Sequence, residues 1–266
     1  MEKPRRFLND PATAEEIVAR FRPATKTPET SYATVRDYCE SVDNLPQITG
    51  LDGDLKNVQR PWAVKALLRS VPPPASLLEI GGGEPIVSGL LNELGYDVTL
   101  IDPYEGFGNG PTEYEKYAEC FPKVKIVREY FGPHLRIFPP GSFSAIFSVS
   151  VLEHLSVEAA AECFRAIGDF LLPGGASIHC FDFILHGIGQ EHDFANARHL
   201  LSQQAQLGNP PIAAGFDDLL ERVKADVDTF FLSPQGHHQW RGGLPYEEYP
   251  FRKVVSLQTI AFRSES

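Results

Sequence analysis

Four short apolar runs, separated by helical or turn-forming sequence, constrain this chain more than any other feature. Residues 77–80, 98–101, 124–127 and 143–149 are uniformly apolar or nearly so, too short for core helices and suited to strands buried on both faces. Between the first two lies a helical stretch, 86–94. After the fourth comes 157–172, with apolar residues at 157, 160, 164, 167 and 171, the spacing of one buried helix face. Ser156 is placed to cap that helix, Glu158 sits in its first turn, and Pro173-Gly174-Gly175 stops it. A fifth run follows at 177–185. Strands that alternate with helices imply right-handed crossovers and a doubly wound parallel sheet, an α/β fold.

The flanks read differently. Residues 13–21, 31–41 and 62–70 carry helix-length patterns, with Pro61 suited to a first turn and Pro72-Pro73-Pro74 ending the last of them. Residues 1–70 are therefore expected to form a helical N-terminal extension or lid, and 71–266 the main domain. At the other end, 227–232 and 254–262 have no helix pattern between them and are expected to pair antiparallel. Residues 187–215 and the aromatic-rich 233–253 are long for connections in a compact domain and read as insertions over a binding site.

Composition narrows the function. Lys plus Arg is 24 and Asp plus Glu is 35, so the net charge is 24 − 35 = −11. Such a chain lacks the field that draws proteins to phosphate backbones or anionic lipid, so no nucleic-acid or membrane partner is expected. The first thirty residues hold no apolar run, and no stretch approaches the 20 or so residues a bilayer requires. Four scattered cysteines without a CxxC pair fit a reducing, cytoplasmic setting. Nothing in the sequence fixes an oligomeric state.

The densest chemistry is Leu78-Glu79-Ile80-Gly81-Gly82-Gly83-Glu84-Pro85, between a strand and a helix. Glycines there permit a sharp turn and let a ligand approach without meeting a Cβ. In an open parallel sheet the ligand crevice lies beyond the carboxyl ends of the strands. Asp102 ends the second strand, nineteen residues after Gly83, where a carboxylate can accept hydrogen bonds from both hydroxyls of a ribose. Dinucleotide-binding turns usually show a third glycine, but Ile86 stands at that position, and Glu84 begins the helix where a pyrophosphate needs bare N–H groups. A ligand with ribose but without phosphate fits better.

Taken in order, Glu79-x-Gly81-x-Gly83, Asp102, the run from Phe143 through Leu152-Glu153-His154-Leu155, and Leu171-Leu172-Pro173-Gly174-Gly175 resemble the signatures of class I S-adenosylmethionine-dependent methyltransferases. The resemblance covers roughly residues 76–185. It implies a seven-stranded, mostly parallel sheet whose last strand is antiparallel, and S-adenosyl-L-methionine as cofactor. It implies a cofactor set of Glu79, Gly81, Gly82, Gly83, Asp102, Pro103, Glu129, Tyr130 and Ser148. Gly81 and Gly83 would approach the amino-acid part and Asp102 would hold the ribose. Glu129 and Tyr130 are the nearest match to the acid that the family places near adenine.

Methyl transfer asks chiefly for alignment of donor and acceptor, which can supply about 7–11 kcal/mol of the barrier. His154, after the fourth strand, is the candidate general base. Asp182, His186, His237, Trp240, Arg241 and Tyr246 are candidate acceptor contacts, the aromatics for stacking and Arg241 for a carboxylate or phosphate. No metal site is expected: His179 and Asp182 fall on opposite faces of a strand, so only part of the row that continues through His192, Asp193 and His199 can converge. The expected activity is methylation of a small-molecule acceptor at a hydroxyl. The rivals are a nicotinamide-dependent oxidoreductase on a similar sheet and a non-catalytic nucleotide-binding or interaction module.

Overall fold

The computed structural model describes residues 4–22, 27–106, 110–208 and 215–265. Within them the chain order is α1 (Pro11–Arg20), β1 (Glu29–Tyr32), α2 (Val35–Asn44), α3 (Lys56–Ser70), β2 (Ser76–Ile80), α4 (Ile86–Glu93), β3 (Asp97–Ile101), α5 (Tyr114–Cys120), β4 (Lys125–Val127), β5 (Phe143–Val149), a 3-10 turn at Leu152–His154, α6 (Val157–Phe170), β6 (Leu171–His186), α7 (Gln190–Ala205), α8 (Phe216–Ala225), α9 (Pro234–Arg241) and β7 (Lys253–Phe262). One seven-stranded sheet runs β1-β7-β6-β5-β2-β3-β4. The neighbours β6, β5, β2, β3 and β4 pair parallel, whereas β7 is antiparallel to both β6 and β1. The expected α/β sheet with a reversed final strand is what the chain forms.

Period-two burial splits the core between the two faces. Leu77, Val98, Leu100, Ala145 and Phe147 pack with α3 and α4 on one side. Leu78, Ile101 and Ile146 pack with α6, α7 and α8 on the other. The central strands lie between two apolar layers, which explains why they read as mostly apolar runs. Helix α6 is capped as its sequence indicates, Ser156 Oγ accepting from Ala159 N at 3.2 Å. It ends at Phe170, two residues before the expected stop, because Leu171 already pairs with Phe143.

Three expectations are corrected. The N-terminal seventy residues are not wholly helical: β1 pairs through Leu257–Ile260 of β7 and supplies the seventh strand. Residues 227–232 form no strand, because β1 occupies the length of β7 they would need. They keep only the single bridges Phe231–Val255 and Thr229–Thr34. Residues 233–253 are not all loop, since Ser233 Oγ accepts from Gly236 N at 3.0 Å and Pro234 opens α9. Helix α3 also starts six residues before the expected 62, with Pro61 inside it, and twelve of its fifteen residues are buried. Of the 187–215 stretch, α7 is formed, and 209–214 lie outside the described residues.

Candidate active site

A crevice of about 1650 Å³ opens at the carboxyl ends of β2, β3 and β5. Its walls are the turns after those strands, the far half of β6, the first turns of α3, and α9 with the chain that follows it. That volume exceeds the 300–1,000 Å³ of a usual small-molecule site, which leaves room for two ligands together.

The glycine turn forms one end. Gly81 and Gly83 have φ of +63° and +52°, a backbone region costly for a residue with a Cβ. A Cβ on Gly81 would meet both Val151 methyls at 2.8 Å, and one on Gly82 would meet the Glu79 carboxyl carbon at 2.7 Å. Asp102 ties the turn to β3. Its Oδ2 accepts from Gly83 N at 3.0 Å and its Oδ1 from Tyr104 N at 2.7 Å. The Tyr104 hydroxyl donates back to Gly83 O at 2.7 Å. Each carboxylate oxygen keeps a lone pair for a ligand. Burial raises the Asp102 pKa, and the two backbone N–H groups oppose that rise. Sequence reading did not single out Tyr104. It is 2% exposed and holds a φ of +54°, a conformation maintained by these bonds.

Beneath the turn, Glu79 is buried and accepts from the Ser88 hydroxyl. Burial pushes its pKa up to about 7, against the opposing effects of Ser88 and the nearby Arg60 guanidinium. Arg60 itself projects from α3 into the crevice. Burial lowers its pKa, and the nearby carboxylates of Glu84, Asp54 and Glu79 oppose that. Among the described residues no carboxylate lies within ion-pair distance of Arg60. Glu84 pairs instead with Arg5 at 2.9 Å.

Further along stands a pair of carboxyl groups. Glu153 Oε1 accepts from Asp182 N at 2.9 Å, and Glu153 Oε2 is buried without a partner. Asp182 accepts from Gln59 Nε2 at 2.8 Å and Ser150 Oγ at 3.1 Å. Burial, and then the Asp182 charge, raise the Glu153 pKa to about 8. Burial raises Asp182 as well, and the Lys56 ammonium opposes this most. Two acids that share a desolvated site cannot both ionise cheaply, so the pair retains a proton at neutral pH. Ser150 reaches Asp182 because its φ of +55° turns it out of the strand direction.

The other predicted residues divide. Pro103, Tyr130, His154, Trp240 and Arg241 line the crevice with Asp182. His154 lies at the exposed rim, its pKa lowered by partial burial against the pull of Asp182. Glu129 is exposed, its carboxylate accepting from Tyr130 N at 2.9 Å. Ser148 is fully buried and lies away from the crevice. It bonds His179 Nδ1 at 2.8 Å, and Ser177 holds Nε2 at 2.8 Å. Burial drives the His179 pKa down to about 3, so that network is neutral structural packing. His186 and Tyr246 do not line the crevice, and His237 is buried against Tyr249 with ring centroids 5.5 Å apart. Among the described residues no group of three or more His, Cys, Asp or Glu is placed to hold a metal ion. No described helix is long and apolar enough to cross a membrane.

This geometry coincides with what the chain is similar to. Residues 78–179 match the family described as methyltransferase domain. An uncharacterized protein of Mycobacterium tuberculosis, from strains CDC 1551 and H37Rv, is 32% identical over 123 residues, 45% of this chain. The matched stretch spans only 39% of that relative's length. Among solved structures, a geranyl diphosphate methyltransferase in complex with GPP and sinefungin superposes with a TM-score of 0.51 at 12% identity, over 94% of this chain and 99% of that one. The 1,6-didemethyltoxoflavin-N1-methyltransferase of Burkholderia thailandensis gives 0.48 at 16% identity, over 99% and 93%. The crevice is built largely from residues inside the matched segment, so the match to the methyltransferase domain family extends over the candidate site itself.

Proposed function

We propose that the chain transfers the methyl group of S-adenosyl-L-methionine to a hydroxyl oxygen of a small-molecule acceptor. The Glu153–Asp182 pair carries this reading. It is a desolvated proton acceptor in the same crevice as the glycine turn, and a hydroxyl is an acceptor that benefits from losing its proton. The cofactor supplies an activated methyl group on a sulfonium. The residues present fit it. Gly81, Gly82 and Gly83 leave the backbone bare, and Asp102 has lone pairs directed outward for two ribose hydroxyls. Arg60 offers an unpaired cation for the amino-acid carboxylate, with Glu79 beneath the turn. Pro103 and Tyr130 border the end beyond Asp102.

In this reading the chain's own work is threefold. It holds the two ligands in line, it excludes water, and it removes a proton. A positioned base contributes about 10²–10⁴-fold. The proton goes to the singly ionised Glu153–Asp182 pair, with Lys56 holding that charge state. His154, neutral near pH 7 and open to solvent at the rim, takes the proton outward. Trp240 and Arg241 of α9 face the acceptor. This assigns 233–253, together with α7 of the 187–215 stretch, to the acceptor side. Residues 1–70 then contribute the wall that bears Lys56 and Arg60.

The net charge of −11 supports a small acceptor over a nucleic acid, and four free cysteines support a reducing, cytoplasmic setting. The test is a calorimetric titration with S-adenosylmethionine, S-adenosylhomocysteine and NADH. We expect the first two to bind at one site per chain and NADH not to bind. NADH binding without binding of the other two overturns the assignment.

A further inference from the structure

The acceptor half of the crevice holds three cationic side chains in a chain of net charge −11. Lys56, Arg241 and Arg252 line it, and none of the three has a carboxylate within ion-pair distance among the described residues. The carboxylates nearby are already engaged. Asp193 Oδ2 accepts from Ile184 N at 2.8 Å, Asp54 holds Lys56 N and the Trp240 indole, and Asp182 holds Gln59 and Ser150.

The two arginines converge on His237. Arg252 donates to the Tyr249 hydroxyl and lies 4.6 Å from the centroid of its ring. Arg241 meets His238 Nδ1 at 3.0 Å, and its Nε is buried with no partner. His237 lies under Tyr249, and both guanidinium charges lower its pKa after burial does, so both act on one small region. Each guanidinium carries five N–H donors and spends one of them on its tyrosine or histidine neighbour. Leaving the buried Arg241 Nε without an acceptor is costly, and a bound anion removes that cost while engaging the remaining donors of both guanidiniums.

We infer that Arg241 and Arg252, flanked by Trp240 and Tyr249, bind an anionic group of the methyl acceptor, a carboxylate or a phosphate. The inference rests on the methyltransferase reading, because it places this group in the acceptor half of the same crevice. It makes the substrate class an acidic small molecule. The methylated group then lies toward Glu153 and Asp182, while the acidic group is anchored at the α9 end.

The test uses the full chain saturated with S-adenosylhomocysteine and titrated calorimetrically with benzoate, phenyl phosphate and the neutral benzamide. At least one anion is expected to bind with a Kd below about 1 mM, with benzamide at least about tenfold weaker. The tighter anion identifies the group as carboxylate or phosphate. R241Q/R252Q should weaken that anion by at least about tenfold and leave S-adenosylhomocysteine affinity unchanged, which also reports that the variant is folded. If the double variant fails to fold, R241Q and R252Q singly should each weaken the anion. Equal binding of anion and benzamide, no anion binding below that limit, or anion affinity indifferent to the substitutions overturns the inference. Failure to bind S-adenosylhomocysteine refutes the methyltransferase reading instead. The same anion comparison, made on the cofactor-free chain, then decides the anion site independently.

Discussion

Glu153→Gln keeps the size and the carbonyl-type acceptor for Asp182 N but removes one of the two titratable carboxyl groups from a desolvated site. Burial and Asp182 lift the Glu153 pKa from 4.5 to about 8. At 1.36 kcal/mol per decade, ionising it in the folded chain costs on the order of 5 kcal/mol more than in the unfolded chain. A carboxyl whose folded pKa is raised contributes full stability below its unfolded pKa. It loses that contribution as pH rises through the folded value. The difference in stability between Glu153→Gln and the parent should therefore be flat below pH 4.5 and grow in favour of the variant up to about pH 8. At about 2–4 °C per kcal/mol for a chain of this size, the ceiling is about 10–20 °C in Tm. Glu79, raised to about 7, loses stability in the same direction in both proteins and cancels from the difference. Catalysis reports the other carboxyl. The repulsion between the two falls on Glu153, and Asp182 is raised by its own burial, so Asp182 ionises in the variant as in the parent. The acid limb of kcat/KM should then stay in place while the step near pH 8 disappears. Thermal melts from pH 4 to 9 and a pH–rate profile by methyl-transfer counting give both readouts. Parallel stability curves together with a retained step near pH 8 refute the shared-proton pair.

The remaining perturbations probe the cofactor end and the core. Asp102→Ala removes the carboxylate assigned to the ribose and releases Gly83 N and Tyr104 N. S-adenosylhomocysteine binding should weaken by at least about 1.5–3 kcal/mol, one charge-assisted hydrogen bond, in calorimetry, and an unchanged Kd removes Asp102 from the site. Gly81→Ala places a Cβ at positive φ, about 1–2 kcal/mol of strain, and against both Val151 methyls. Cofactor affinity and Tm should both fall, and Gly81→Ala/Val151→Ala should recover only the steric part. His179→Gln addresses a group whose pKa burial lowers to about 3. Its contribution is lost as pH falls from 6.5 toward 3, so the variant should show a shallower loss of stability in acid melts over that window, with methyl transfer otherwise retained.

The central strands and the glycine–aspartate turn were legible because their causes are local. Two-sided burial makes 77–80, 98–101 and 143–149 predominantly apolar, and the turn announces itself through glycines that need positive φ. Ser233-Pro234 was an equally local signal, a cap followed by N1, and α9 could have been read from it. Strand β1 was not legible. Its four residues, Glu29-Thr30-Ser31-Tyr32, lie at a sheet edge with no fully buried position, so only pairing with β7 makes them a strand. Glu153 was passed over for His154 for a similar reason. Its carboxyl acquires chemistry only when the β5–β6 register, Val149 opposite Cys180, brings the turn after β5 against Asp182. Ser148 shows the converse. It lies in the segment that resembles the family, yet its partner in register is His179, and the pair closes away from the crevice.

Helix α3 links the two halves of the site. Lys56 and Arg60 are one turn apart, about 6 Å along the axis, and therefore share a face. Arg60 feels Glu79 and Glu84 at the glycine turn, and Lys56 feels Glu153 and Asp182. A helix buried on nearly every side cannot slide without disrupting the packing of β5 and β6, so it fixes the separation between the cation assigned to the cofactor and the cation that tunes the proton acceptor. Lys56→Met tests this arrangement against Glu153→Gln. Removing the ammonium withdraws the charge that lowers both carboxyl pKa values, so the acid limb of kcat/KM should move to higher pH, where Glu153→Gln leaves it in place, while S-adenosylhomocysteine affinity, which depends on the Arg60 end, stays unchanged. If Lys56→Met leaves the limb unmoved, the Glu153–Asp182 pair is not the group that titrates in turnover.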